Sequence, residues 1–314
     1  GYGFLSENSS FASSVKRVNL KFIGPNERTL KIFGDKTSAK ELASSLDVPV
    51  IQGTSKKTSI RQAQNFMKSL KKNSSVVIKA ISGGGGRGMR VVSKAQDLKD
   101  SFERAASEAK ASFNSSDLYL EEYLKNYRHV EFQIIGDGTG AVSHLHEREC
   151  SIQRRYQKLI EIAPSPSLNL ELKQRMIDDS LALTKKLKYE GLATIEFLVN
   201  VEKNDYRFIE CNPRLQVEHT VTESVLSLDI VKAQLQIASG KTLKQIKLEQ
   251  KNVPEPKGYA IQSRVNMERI DSYGNANPGG GIFEKFDLPS GPGAVSYTHL
   301  RAHETLRYLV CRLL

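Results

Sequence analysis

Glu210 and Asn212 stand two residues apart where an apolar run ends, within the stretch 207–219 (RFIECNPRLQVEH). On an extended strand both side chains point to the same side, and carboxylate and amide oxygens suit a hard divalent cation. Glu196 lies in the preceding strand-like run, across an Asn-Asp turn, so we expect an antiparallel hairpin with Glu196 beside Glu210. Two adjacent carboxylates repel each other unless a cation lies between them. A solvated strand is the alternative for Glu196 alone, but its combination with Glu210, Asn212 and Arg214 favours a magnesium site completed by nucleotide phosphates.

A second stretch, 76–89, is a β-branched strand that carries Lys79 and continues into a glycine-rich loop. Glycines let backbone N–H groups approach an anion closely, so the loop can cover nucleotide phosphates while Lys79 supplies positive charge. Neither the Gly-Lys-Ser/Thr ending of a Walker loop nor a convincing dinucleotide fingerprint is present. A flexible linker is the alternative for the glycine run alone. The lysine-bearing strand before the run and the basic, apolar residues after it favour the phosphate site.

Between these stretches lie residues 119–124 and 128–138. The first predicts a strand that passes into a short connector with free backbone groups, suited to an adenine edge, with Glu121 and Leu124 at that connector. His129 then begins an alternating strand that ends in the hairpin signal Asp-Gly. A lone histidine is more often an ordinary side chain than a ligand, so the case for His129 depends on its neighbours.

Taken together, these motifs resemble the biotin carboxylase component of biotin-dependent carboxylases, an ATP-grasp enzyme. The resemblance is carried in chain order by GYGFLSEN, FIGP, GDK, the lysine and glycine loop, RHVE, ERECSIQRR and NPRLQVEH, and it runs from residue 1 to about residue 293. Its most specific part is 216–219, because the carbamoyl phosphate synthetase large subunit has a serine- and arginine-rich stretch after the same Asn-Pro-Arg. One departure is Tyr156, where many members have histidine.

The resemblance implies roles at the matching positions. Those implied for ATP are Lys36, Lys79, Gly83, Gly84, Gly85, Gly86, Gly88, Glu121, Leu124, His129 and Gln153. Those implied for two magnesium or manganese ions are Glu196, Glu210 and Asn212. Those implied for bicarbonate are Lys158, Arg214, Gln216 and the backbone of Val217. The implied catalytic residues are Glu218 as the base that deprotonates bicarbonate, Arg264 as the residue that steadies the biotin enolate, and Lys158 and Arg214.

The implied reaction is the first half-reaction of a biotin-dependent carboxylase. ATP phosphorylates bicarbonate to carboxyphosphate, which yields carbon dioxide to the ureido nitrogen of biotin. Biotin is then a substrate on a carrier domain, whose Met-Lys-Met motif this sequence does not contain. Expected partners are that carrier domain, a carboxyltransferase and a second copy in a homodimer. A different ATP-grasp ligase and a catalytically silent fragment are the alternatives, and the final acceptor (acetyl-CoA, propionyl-CoA, pyruvate or urea) stays open.

Composition agrees with this interpretation. The chain has 314 residues, 39% of them hydrophobic, and has no apolar run long enough to cross a bilayer. Its three cysteines show neither metal spacing nor a disulfide framework, so we expect a reducing compartment, either the cytoplasm or the mitochondrial matrix. The net charge of +11 raises nucleic-acid binding as a rival, but the basic residues are spread over amphipathic surfaces, so we expect neither nucleic acid nor membrane as a partner.

The expected fold class is α+β: an ATP-grasp fold, incomplete at both ends. We expect residues 1–33 to be the remnant of a doubly wound N-terminal subdomain and residues 34–250 to form the ATP-grasp domain. Within that domain the small lobe covers about 35–117 and the large lobe about 118–250, with helices at about 171–190 and 223–240. Residues 251–293 begin a C-terminal subdomain, and 294–314 do not match the family and are expected to be non-native.

Overall fold

The computed structural model describes residues 1–3, 5–54, 57–81, 89–154, 156–265, 268–272, 276–278, 287, 291–297 and 309–313. The helices within these residues are α1 (Ser9–Arg17), α2 (Glu27–Gly34), α3 (Lys36–Ser45), α4 (Ile60–Ser69), α5 (Leu98–Phe113), α6 (Leu170–Lys186), α7 (His219–Leu226) and α8 (Ile230–Ala238). The strands are β1 (Ser75–Ala80), β2 (Arg90–Val92), β3 (Leu118–Tyr123), β4 (Arg128–Asp137), β5 (Val142–Arg154), β6 (Gln157–Ala163), β7 (Glu190–Asn200), β8 (Asp205–Asn212), β9 (Ala260–Val265), β10 (Glu268–Ile270), β11 (Ala276–Pro278), β12 (Ala294–Tyr297) and β13 (Leu309–Leu313).

A three-stranded antiparallel sheet in the order β2-β1-β3 carries the lysine strand, with Lys79 of β1 opposite Tyr119 of β3. Buried side chains of α4 and α5 cover this sheet and form one apolar core with it. The sequence placed the boundary between the two lobes at residue 118, whereas the sheet pairing assigns Leu118–Tyr123 to the smaller sheet. The reason is that β3 completes the hydrogen bonding of β1 before the chain leaves for the larger sheet.

The larger sheet has eight antiparallel strands in the order β12-β13-β9-β6-β5-β4-β7-β8. Successive side chains on a strand point to opposite faces, and the buried residues of β4 show this directly. Ile134 packs into a core with α3 and α6, whereas Ile135 packs into a core with α7 and α8. Helices therefore cover the sheet on both faces, and the class is α+β as predicted, because the strands of both sheets pair antiparallel.

The predicted hairpin at 193–212 is confirmed. Strands β7 and β8 pair in antiparallel register with Glu196 opposite Glu210, and an irregularity in the ladder follows at Phe197. The strand predicted to end at Asp137 is also confirmed, since β4 ends there and pairs with β5. Both predictions rested on strand periodicity bounded by turn residues, which are local signals.

The single helix predicted at about 223–240 is wrong. Helix α7 ends at Leu226, Ser227 takes a left-handed conformation with φ of 52°, and Asp229 caps α8 by accepting a hydrogen bond from the Lys232 N–H. An aspartate side chain in front of an apolar run is a helix start signal, so the break follows from the N-cap chemistry. The helix predicted at 171–190 is present as α6 and ends earlier, at Lys186.

Residues near both ends of the chain contact its central region. The backbone N–H of Leu215 donates to the carbonyl of Gly1, and Lys21 forms an ion pair with Glu190 at 3.0 Å. Within the segment expected to be non-native, the described residues form β12 and β13, and β13 pairs with β9. Among the described residues, no helix combines the length and apolar character required to span a membrane.

Candidate active site

Lys158 of β6 lies at the centre of a buried cluster of carboxylates. Its Nζ is 2.9 Å from Glu196 Oε1, 2.8 Å from Glu218 Oε1, and also donates to Glu131. Burial opposes the charge of Lys158, but the three carboxylates outweigh burial and hold its pKa well above the ordinary value. One ammonium group therefore holds together carboxylates from three different parts of the chain, and an entering anion can compete with them for it.

Glu218 is the carboxylate for which the family resemblance implies the role of base, and it is buried. It directly precedes α7, and its second oxygen, Oε2, is 3.0 Å from Arg264 Nη2. Burial by itself would raise the pKa of Glu218, but Lys158, Arg264 and Arg148 outweigh burial and hold that pKa well below its usual range. Glu218 is therefore ionised at neutral pH and able to accept a proton. Its basicity would rise if a bound anion drew either cation away.

Arg148 is fully buried beneath this cluster, and no motif in the sequence indicated a role for it. Its Nε donates to Glu131 at 2.5 Å, and its remaining N–H groups donate to Gln133, Thr222 and Thr194 at 2.8, 2.9 and 3.2 Å. These partners come from β4, β7 and α7, so a single guanidinium joins three elements. The sequence offered one signal for this role, an arginine in the middle of a predominantly buried strand. The partners of Arg148 depend on tertiary packing and could not be read from the sequence.

Replacement of Arg148 by methionine is expected to lower the free energy of unfolding by about 3–5 kcal/mol, because it leaves buried carboxylate and amide groups without their cation. Urea denaturation of the purified protein measures this. The control is Arg128→Met, since Arg128 is half exposed and pairs with Glu149 at 2.8 Å, so its loss should cost less than about 1 kcal/mol. Equal stability losses in the two variants would contradict the structural role of Arg148.

The three predicted metal ligands lie on the paired strands, but they do not form one closed group. Glu196 Oε1 accepts hydrogen bonds from Asn212 Nδ2 at 2.8 Å and Gln216 Nε2 at 3.0 Å, while Glu196 Oε2 is 2.7 Å from His129 Nε2. Glu210 is about one-third exposed and instead lies 3.4 Å from Lys36. Glu196 and Asn212 are thus in contact, and Glu210 opens to solvent on the adjacent strand.

The donor set fits a hard divalent cation. Glu196, Glu210 and Asn212 supply oxygen atoms from neighbouring strands, as magnesium and manganese prefer. Asn212 turns its amide nitrogen toward Glu196, and Asn212 Oδ1 is 3.4 Å from Arg214 Nη2. Rotation of the amide by half a turn would turn Oδ1 toward Glu196, so Asn212 could supply an oxygen ligand there.

The predicted nucleotide residues on the smaller sheet form a second cluster. Lys79 Nζ is 2.5 Å from Glu121 Oε2, and Lys40 of α3 binds the other oxygen of the same carboxylate. Burial would raise the pKa of Glu121, but Lys79 and Lys40 outweigh it and lower the pKa to about 2. Glu121 lies within β3 rather than in the connector, which corrects the predicted position, and its carboxylate is engaged by two lysines. Its contact with adenine stays a prediction.

The remaining predicted residues are placed as follows. Leu124 directly follows β3 and is half-buried, and Gln153 is 2.8 Å from the His129 ring. Arg214 donates from Nε to Glu7 at 2.6 Å, a partner more than two hundred residues away that the sequence did not suggest. Val217 is exposed in the loop before Glu218. The predicted lid glycines, Gly83 to Gly86 and Gly88, lie outside the described residues.

Comparisons with known proteins agree on one family. The family described as "Carbamoyl-phosphate synthase L chain, ATP binding domain" matches residues 35–246, and "Biotin carboxylase, N-terminal domain" matches residues 1–30. A pyruvate carboxylase of Aspergillus niger is 44% identical over 294 residues, which is 93% of this chain and 24% of that protein. The chain therefore spans about a quarter of the length of the curated relatives it matches.

Solved structures show the same similarity in three dimensions. The biotin carboxylase domain of 2-oxoglutarate carboxylase from Hydrogenobacter thermophilus, solved with MgADP, ADP and bicarbonate, has a TM-score of 0.90 at 36% identity, covering 100% of this chain and 69% of that one. A biotin carboxylase from Campylobacter jejuni, solved as a complex with βγ-ATP, has a TM-score of 0.87 at 36% identity, covering 99% of this chain and 70% of that one. The fold predicted from the sequence is confirmed by these matches.

Proposed function

Because the chain belongs to the biotin carboxylase family of ATP-grasp enzymes, we propose that it catalyses the ATP-dependent carboxylation of carrier-linked biotin with bicarbonate, through a carboxyphosphate intermediate. The observation that carries this proposal is the position of Glu218. A buried carboxylate lies between two cations, Lys158 at 2.8 Å and Arg264 at 3.0 Å, at the end of the motif NPRLQVEH. Such a group can take a proton from an anion that the same cations bind.

Bicarbonate would bind near Glu196 and Glu218, held by Lys158, Arg214, Gln216 and the backbone of Val217. Arg214 carries a forked guanidinium suited to a planar anion, and in the structure it pairs with Glu7 at 2.6 Å. Bicarbonate would then take the place of Glu7 at Arg214 and of Glu196 and Glu218 at Lys158. Once Lys158 turns to the substrate, Glu218 loses part of its positive surroundings and becomes a stronger base.

ATP would be held by residues of both sheets. Lys79 and Lys36, now paired with Glu121 and Glu210 at 2.5 and 3.4 Å, would turn to the phosphates, together with the predicted glycine lid. Glu196, Glu210 and Asn212 would hold the two magnesium or manganese ions. Those ions supply positive charge that stabilises the transferred phosphoryl group. His129 and Gln153, 2.8 Å apart, would border the nucleotide near Glu196.

Biotin, attached to a carrier domain, would bind next to Arg264. Arg264 lies on β9, which begins the predicted C-terminal subdomain, and its guanidinium contacts Glu218. The same proposal includes a carboxyltransferase that consumes carboxybiotin, a homodimer, and a location in the cytoplasm or the mitochondrial matrix. The named relatives support it, since they are pyruvate carboxylase and biotin carboxylase domains.

The proposal is tested by product formation with carbon-14 bicarbonate. With ATP, magnesium and biotin, the purified protein should form acid-labile carboxybiotin, and its ATP cleavage should require bicarbonate. Omission of magnesium should stop both signals. Formation of carbamoyl phosphate from ammonia, without carboxybiotin, would instead show a different ATP-grasp ligase and overturn the proposal.

A further inference from the structure

Glu161 is a buried carboxylate next to the candidate active site, and the proposed reaction assigns it no role. It lies on β6, three residues after Lys158, and is 0% exposed. Its Oε1 is 2.5 Å from Arg264 Nη2, yet within the described part of the chain neither oxygen of Glu161 accepts a hydrogen bond of regular geometry. A buried carboxylate with so few hydrogen-bond donors is costly to ionise.

The register of the sheet places Glu161 and Arg264 on the same face. Glu161 is directly opposite Gln262 of β9, and Arg264 follows Gln262 by two residues. Directly opposite residues of an antiparallel pair share a face, as do residues two apart on one strand. The backbone therefore fixes Glu161 beside Arg264, and the contact does not depend on a mobile loop.

Arg264 is thereby shared between two carboxylates. The same atom, Nη2, is 2.5 Å from Glu161 Oε1 and 3.0 Å from Glu218 Oε2. The charged groups that act on Glu161 are Arg264 from β9, Glu218 directly before α7, and Glu131 from β4. Burial raises the pKa of Glu161 to about 7, with Glu218 and Glu131 adding to the rise and Arg264 opposing it.

We propose that Glu161 is a positioning residue, which sets how much of the Arg264 charge is available to Glu218. This inference rests on the proposed function. Ionised Glu161 draws the guanidinium toward β6 and adds negative charge, so Glu218 becomes more basic. When Glu161 is neutral, the guanidinium of Arg264 interacts mainly with Glu218. The carboxylate of Glu218 is then more strongly stabilised and accepts a proton less readily.

The sign of the resulting pH dependence follows directly. Above about pH 7 Glu161 is ionised and Glu218 is the stronger base, so the rate rises with pH through this range. Glutamine at position 161 is neutral at every pH, so the variant behaves like the wild type at low pH. Aspartate at 161 keeps an ionisable group and should keep the rise, at a shifted midpoint.

The kinetic test compares the pH profile of kcat/KM for biotin carboxylation in wild type, Glu161→Gln and Glu161→Asp, at equal bicarbonate concentration. We expect Glu161→Gln to be about tenfold slower than wild type at pH 8, to approach it at pH 6, and to lack the rise between them, because one unit in the pKa of a base is about tenfold in proton affinity. The control is Glu147→Gln, another buried carboxylate, which pairs with Lys173 at 2.9 Å outside the site. A Glu161→Gln profile that keeps the wild-type rise would overturn the inference.

A second measurement works without carboxylase activity. Carbon-13 NMR of labelled glutamate carboxyl groups, with the Glu161 signal identified by its loss in Glu161→Gln, reports the ionisation of Glu161. A midpoint near neutral pH that moves upward by at least about one unit in Arg264→Met supports the pairing. A midpoint near that of free glutamate, or one indifferent to Arg264, contradicts it. If these titrations hold but carboxybiotin is never formed, the proposed function fails and the coupling of Glu161 to Arg264 stands.

Discussion

Replacement of Glu218 by glutamine is expected to lower the rate of biotin carboxylation by at least about a hundredfold, the usual cost of losing a general base. Glutamine keeps the size of the side chain, and its amide oxygen can still accept from Lys158 or Arg264, which lie at 2.8 and 3.0 Å from the carboxylate. The fold should therefore survive. Steady-state carboxybiotin formation and a nucleotide-binding titration, carried out on the same preparation, measure the two effects separately.

The matched control for this variant is Glu223→Gln. Glu223 lies on α7, five residues after Glu218, and accepts a hydrogen bond from the Ile230 N–H at 2.9 Å that glutamine preserves. Its carboxylation rate should stay close to that of the wild type. If Glu218→Gln instead loses ATP affinity to the same extent as it loses carboxylation, Glu218 has a structural role and its assignment as the base is wrong.

Replacement of Glu210 by glutamine is expected to reduce bicarbonate-dependent ATP cleavage to background, again by at least about a hundredfold. Glu210 is opposite Glu196 across the hairpin, and its loss removes one of two carboxylates that would hold the metal ions. The neutralisation of phosphoryl charge by such ions contributes several kcal/mol to the transition state. The assay uses saturating magnesium, so that weaker metal affinity alone does not explain the result.

The control for Glu210 comes from the same hairpin. Glu202 lies in the exposed turn between β7 and β8, and Glu202→Gln should leave both ATP cleavage and thermal unfolding unchanged. Manganese binding, followed by electron paramagnetic resonance, adds a direct measure, and it should weaken only in Glu210→Gln. Unaltered ATP cleavage in Glu210→Gln would refute the interpretation of the paired carboxylates as metal ligands.

Local signals were enough to predict the paired carboxylates. The sequence showed two apolar runs around an Asn-Asp turn, and period-two alternation determined which side chains share a face. The structure accordingly places Glu196 opposite Glu210. The same kind of signal failed at 223–240, where apolar periodicity continues through a break caused by left-handed Ser227 and the N-cap of α8.

Long-range partners could not be predicted in this way. Arg148, Glu131 and Glu161 appear in the sequence as ordinary charges on strands. Only the packing of the larger sheet brings Glu131 against Arg148 and Lys158, and Glu161 against Arg264. Pairing of charges across a sheet depends on strand order, which periodicity does not specify. Their burial means that each requires a compensating partner, so the site is a connected network in which catalytic and structural groups share the same cations.

The two lysines that bind Glu121 are a further example of an unpredicted long-range partner. Lys79 was predicted to face phosphates, and the structure joins it to Glu121 at 2.5 Å with Lys40 as the second partner. The sequence contained no pattern that links Lys40 to this carboxylate, since α3 and β3 are far apart along the chain. The positive charge predicted to face phosphates is thus balanced by a carboxylate of the protein, at a position the motif alone did not indicate.

The central claim is that bicarbonate attacks the terminal phosphorus of ATP, and one isotope measurement tests it most directly. If bicarbonate carries oxygen-18, the oxygen that attacks phosphorus remains with the phosphoryl group when carboxyphosphate breaks down. Mass spectrometry of the inorganic phosphate formed with ATP, magnesium and biotin should therefore find one labelled oxygen per phosphate released. Unlabelled phosphate, formed while carboxybiotin accumulates, would show that water rather than bicarbonate receives the phosphoryl group, and would contradict this account.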